Sequence, residues 1–98
     1  MAFAIEYTFV RPSTDVAWPE FSIDQQTQIQ ALRETHNVSS SDTFSDDGLT
    51  WVRRQTADSI EAYTPFYTQG QPIWEAAGIV YNAQQAGITV AMDIVENT

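Results

Sequence analysis

Ninety-eight residues carry thirteen Asp and Glu against four arginines, Arg11, Arg33, Arg53 and Arg54, and no lysine, for a formal charge of -9. So acidic a chain repels phosphate backbones and anionic headgroups, which excludes nucleic acid and membrane surfaces as expected partners. With 43% hydrophobic residues and no cysteine, one folded domain over residues 1–98 is expected, without a disulfide frame or a thiolate metal site.

No apolar run reaches the ~20 residues of a membrane span, and no basic segment precedes an apolar one at the N-terminus. A soluble chain without a secretion signal is expected, in the cytoplasm or in a virion. Arginine in place of lysine would suit a high-salt host, but nine glutamines and a charged fraction of only 17% fit ordinary solubility better.

Phe3, Ile5, Tyr7 and Phe9 alternate with Ala4, Glu6, Thr8 and Val10, the period of a strand with an aromatic core face. Arg11-Pro12-Ser13 ends it, since proline donates nothing to a ladder. After a loop through Trp18-Pro19, a helix opened by Pro19 or Ser22 is expected from about residue 20 to 36. Phe21, Ile29, Leu32 and His36 lie near one stripe of it, and glutamines fill much of the rest.

Asn37 to Ser41 read as a polar connection. Asp47-Gly48 then reads as a two-residue type I′ hairpin turn, which sets Asp46 opposite Leu49, Phe44 opposite Trp51, Asp42 opposite Arg53 and Thr43 opposite Val52. An aromatic pair and an opposite-charge pair on one face make that register coherent. Asp58-Ser59-Ile60-Glu61 has the form of a capping box and starts a short helix. Pro65 and Gly70-Gln71-Pro72 are expected to break it, with Pro72 opening a second helical piece to about Gln85. Gly87 stops that piece, and Ile88, Val90, Met92 and Ile94 alternate as a last strand.

Strand, helix, strand, strand, helix, strand is the order of an α+β domain. The economical packing is a ferredoxin-like four-stranded antiparallel sheet with the helices on one face. It resembles the small α+β domains that pair sheet to sheet as dimeric α/β barrels, a likeness carried by topology over nearly the whole chain and by no residue motif.

The sheet face away from the helices would then show Ala4, Glu6, Thr8, Val10, Thr50, Val52, Arg54, Thr89, Ala91, Asp93 and Val95, neither cleanly polar nor cleanly apolar. Tyr63, Phe66, Tyr67 and Trp74 gather around the proline-broken connection, and Trp18 sits in another proline loop. Aromatics so placed serve as interface anchors or as seals on a small core.

His36, at a helix C-terminus, is expected to be structural. Its side chain and that of Glu34 point to different helix faces, so no metal is expected. Arg53 and Arg54 are expected to pair internally, Arg53 with Asp42 and Arg54 with Glu6 or Asp93, rather than to grip an anion. Asp42, Asp46 and Asp47 lack the spacing of a calcium loop. Asn37-Val38-Ser39 matches a glycosylation sequon without a secretory context.

One histidine, no cysteine and no phosphate-binding loop point away from catalysis and from any cofactor. The expectation is a non-catalytic assembly module, an oligomer that docks on itself or on a larger protein partner such as a virion. Its partner-binding residues would be Val10, Val52, Val95, Thr8 and Thr50 on the sheet, with Tyr63, Phe66, Tyr67 and Trp18 outside it. The alternative is a small dimeric α/β-barrel enzyme or ligand carrier. Its pocket would lie between sheet and helices, lined by Tyr7, Trp51, Trp74 and Tyr81, with His36 or Arg53 as the polar group.

Overall fold

A computed structural model describes residues 2–98. Its elements run β1 (Phe3–Val10), α1 (Ile23–His36), β2 (Ser39–Phe44), β3 (Thr50–Ala57), α2 (Ile60–Ala77), α3 (Ile79–Gln85) and β4 (Thr89–Asn97). The strands form one antiparallel sheet in the order β2-β3-β1-β4, with helices packed on one face, the ferredoxin-like arrangement. No helix among the described residues is long and apolar enough to cross a membrane.

The period-two pattern of β1 holds on its helix side, although Ala4, expected to show on the open face, is itself fully buried. Phe3, Ile5 and Phe9 are buried under the helices, while Glu6, Thr8 and Val10 face the other way. Rings form a ladder across three strands, Phe44 on Trp51 at 6.2 Å and Trp51 on Phe9 at 4.5 Å between centroids. Such stacking fixes register as well as adding contact.

The hairpin keeps the expected register, with Phe44 opposite Trp51, Thr43 opposite Val52 and Asp42 opposite Arg53, but its turn is different. Positive φ occurs at Gly48 (75°) and at neither Asp46 nor Asp47, which rules out type I′. Instead Gly48 N–H donates to the Ser45 carbonyl at 3.0 Å. The Asp47 carboxylate accepts from the Ser45 hydroxyl at 2.6 Å and the Leu49 amide at 3.0 Å. Those side-chain bonds stabilise the longer turn. β2 also begins at Ser39 rather than after Ser41, because its serines pair with β3 although all are exposed.

Ser22 caps α1 in a complete capping box with Gln25, and Asn37 closes it at φ 55°. In the second helical region the cap is Ser59, which accepts from Ala62 N–H, not Asp58. The proline breaks expected there are absent, for α2 runs unbroken through Pro65 and Pro72. These prolines are seven residues apart, close to two turns, and both are exposed, so the backbone carbonyls that lose partners turn to water. The opposite side carries buried Tyr63 and Phe66 and half-buried Ile73 and Trp74. Burying that stripe holds the helix together where local propensity would break it.

The break comes at Gly78, in the left-handed region at φ 64°. It leaves α3 only seven residues long, enough to seal Ile79 and Ala83 on Phe9 and Ile88. Farther along β4, Met92 and Ile94 lie opposite Tyr7 and Ile5 yet remain 60% and 48% exposed, because no helix covers them. A bulge between Ala4 and Ile5 of β1 leaves Val95 without a partner in the ladder.

Candidate functional site

Between the sheet and the helices lies a cavity of about 440 Å³. Tyr7 on β1 and Arg53 and Gln55 on β3 form its floor; Ile29 and Arg33 of α1 and Tyr63, Phe66 and Trp74 of α2 form its roof. Exposed Tyr67, Gln71, Glu75, Tyr81 and Met92 frame its mouth, beside the uncovered stretch of β4. The opening thus follows from the early end of α3.

Apolar lining comes from rings in contact. Trp74 packs on Tyr7 at 5.6 Å and on Phe21 at 5.5 Å between centroids. The polar lining combines phenols, two guanidiniums and amides inside with the Glu75 carboxylate at the mouth. Tyr63 Oη donates to Gln55 Oε1 at 3.5 Å, giving a partner to a polar side chain buried in the core. Burial raises the Tyr63 hydroxyl far above its ordinary range, and hydrogen bonding with Tyr7 raises it further. Burial also raises Tyr7, partly offset by the neighbouring Tyr63 hydroxyl. Both phenols stay protonated through the physiological range; the single Tyr63 proton is engaged with Gln55, which leaves Tyr7 as the phenolic donor facing a ligand.

Two guanidiniums stand beside them. Arg53 is held by Asp42, Nε to Oδ1 at 2.9 Å and Nη2 to Oδ2 at 3.3 Å, and Trp51 Nε1 donates to the same carboxylate at 2.8 Å. Arg33 has no carboxylate within 4 Å among the described residues. Its Nη1 reaches Gln30 Oε1 at 3.3 Å, while Nε is buried and bonded to nothing. Burial lowers its pKa, and the neighbouring charge of Arg53 lowers it further.

Several expected site residues lie elsewhere. Tyr63 and Phe66 are not loop anchors; they sit on α2 at 5% and 6% exposure and offer a partner almost no surface. Tyr67 on the same helix is exposed. Trp18 is clamped between Trp51, at 5.7 Å between rings, and the Arg11 guanidinium, 4.4 Å above its face. His36 is outside the cavity, its Nε2 3.2 Å from Gln69 Oε1 between α1 and α2. Of the pocket residues expected, Tyr7, Trp74, Tyr81 and Arg53 line the cavity, while Trp51 lines a neighbouring cleft with Trp18 and Phe44.

On the open sheet face Thr8, Thr50 and Val52 are half-buried, and Val10 and Val95 are exposed. Arg54 pairs there with Glu6 at 3.2 Å, not with Asp93. Arg33 and Gln55 were invisible to motif reading, yet both were within reach of periodicity. Arg33 shares the stripe of Ile29, Leu32 and His36, and Gln55 has the strand parity of Trp51 and Arg53.

No protein-family model and no curated protein sequence matches this chain. Among solved structures it is similar to Rv0793 from Mycobacterium tuberculosis, at 16% identity and TM-score 0.49, over 100% of this chain and 96% of that one. A de novo designed protein with a ferredoxin fold aligns over 100% of this chain and 88% of its own, at 10% identity and TM-score 0.42. A putative amidohydrolase/peptidase from Burkholderia cenocepacia aligns over 97% of this chain and 27% of its own, at 7% identity and TM-score 0.41.

Proposed function

We propose that the protein binds a small, mainly apolar molecule in the cavity between sheet and helices. The observation that carries this reading is a half-open cavity of about 440 Å³ whose wall joins aromatic rings to the Tyr7 hydroxyl and the Arg33 and Arg53 guanidiniums, within the roughly 300–1,000 Å³ of small-molecule sites. The protonated Tyr7 phenol and a guanidinium orient an oxygen-bearing ligand; they do not remove a proton from it.

A neutral fluorescent reporter, 1-aminoanthracene, tests the reading. Saturable one-site binding is expected, and Gly70→Leu should weaken it, because Gly70 lines the cavity and only Leu32 Cδ1, at 3.9 Å, lies near a Cβ built there. Absence of saturable binding to the folded chain would overturn the reading.

The open sheet face supports a second, compatible reading, self-association. Its centre is uncharged Thr8, Thr50 and Val52, which are half-buried beside exposed Val10. A second copy of this chain is the proposed occupant, since copies sharing one flat sheet bury the valines without loop ordering. Sedimentation of Val52→Glu decides it. The wild-type chain should sediment as a dimer and the variant as a folded monomer; a dimeric variant would leave the face merely solvated.

A further inference from the structure

Thirteen carboxylates dominate the charge of this chain, yet the inner wall of the cavity is locally cationic. Arg33 and Arg53 stand near a single carboxylate, Asp42, whose two oxygens are occupied by Arg53 and Trp51. Glu75 is at the mouth, exposed and bonded to Gln71 at 3.2 Å. Arg33 therefore brings a positive charge to the cavity without a matching acid. Its Nε–H is buried away from the cavity, Nη1 is held by Gln30, and Nη2 has no acceptor in the protein, so the outer edge of the guanidinium is the part left for a ligand.

We infer that the ligand of this cavity carries a carboxylate, which seats on the Arg33 guanidinium while its apolar body packs against Phe21, Trp74 and Tyr7. The inference rests on the ligand-binding reading and names the chemistry of its ligand. A planar carboxylate matches the fork of a guanidinium and supplies acceptors that Arg33 lacks in the protein. The Tyr7 hydroxyl, kept protonated on the same wall, offers a further donor. A doubly charged phosphate fits less well, because Arg53 is already neutralised by Asp42 and the surrounding charge of the chain is strongly negative.

Two probes of equal shape separate charge from apolar fit. Titration of tryptophan fluorescence with 2-naphthoate and with the neutral 2-naphthamide should show naphthoate binding at least tenfold more tightly. Arg33→Met should erase that difference by weakening naphthoate far more than naphthamide, and Arg54→Met, on the opposite sheet face, should alter neither. Should Arg33→Met fail to give a cooperative melt, Arg33→Lys retains the charge without the fork and should still lower naphthoate affinity severalfold.

Equal affinities for the two probes in the wild-type chain overturn the carboxylate while leaving the cavity standing. Binding of neither probe, together with no binding of 1-aminoanthracene, overturns the cavity reading itself. Displacement of naphthoate by millimolar inorganic phosphate would overturn the choice of a carboxylate in favour of a general oxyanion site.

Discussion

Asp42→Asn removes one charge while keeping the shape of the side chain and an acceptor for Trp51. In the folded chain that carboxylate holds Arg53 through two bonds, at 2.9 and 3.3 Å, with the two side chains 37% and 20% exposed. Bonds to charged groups contribute about 1.5–3 kcal/mol when dry, and partial exposure screens them, so a loss of about 1–2 kcal/mol is expected. For a domain of this size that is a fall in melting temperature of about 5–10 °C at pH 7.

The difference must also depend on pH in a set direction. Burial pushes the Asp42 carboxyl up, but hydrogen bonds from Arg53 and Trp51 and the charges of Arg53 and Arg33 outweigh it, so its folded-state pKa lies below 3.8. A depressed folded-state value contributes stability above the unfolded value and loses it as pH falls through the folded one. Urea unfolding of both proteins from pH 7 downward should therefore show their stabilities converging below about pH 4. Equal melting at pH 7, or a gap that persists unchanged into acid, would refute the ion-pair account. The same variant leaves two guanidiniums uncompensated, so its affinity for 2-naphthoate should rise.

Gly48→Val should cost more than about 1 kcal/mol, since a β-branched residue resists φ 75° whatever space surrounds it; an unchanged melt would refute the turn assignment. Pro65→Ala should stabilise by about 1–2 kcal/mol, because an exposed helix interior regains a backbone hydrogen bond, less the added freedom of the unfolded chain; a lower melting temperature would mean that the proline has a packing role. His36→Gln should retain naphthoate binding and lose less than about 2 kcal/mol, and loss of binding with the fold intact would place His36 in the site.

Local chemistry alone determined β1, β3 and β4, narrowed the start of α1 to Pro19 or Ser22, and set the pairing of Phe44 with Trp51. Alternation, a capping box and cross-strand pairs act over a few residues and have few competing solutions. Hairpin register also assigned Arg53 to Asp42, and strand periodicity placed Tyr7 on the helix side of the sheet. Tertiary structure decided the rest. Two prolines argued for a broken helix, but the stripe from Tyr63 to Ala77 gains more by burial than the backbone loses at two solvent-facing carbonyls, so α2 continues and Tyr63 and Phe66 become core. Asp47-Gly48 suited more than one turn, and the Asp47 carboxylate chose by bonding Ser45 and Leu49. Arg33 lay unnoticed on an apolar stripe, for a charge gains its role only when folding decides which acids stand beside it. Here the nearest acid went to Arg53, a contact set by strand register that no stretch of α1 encodes.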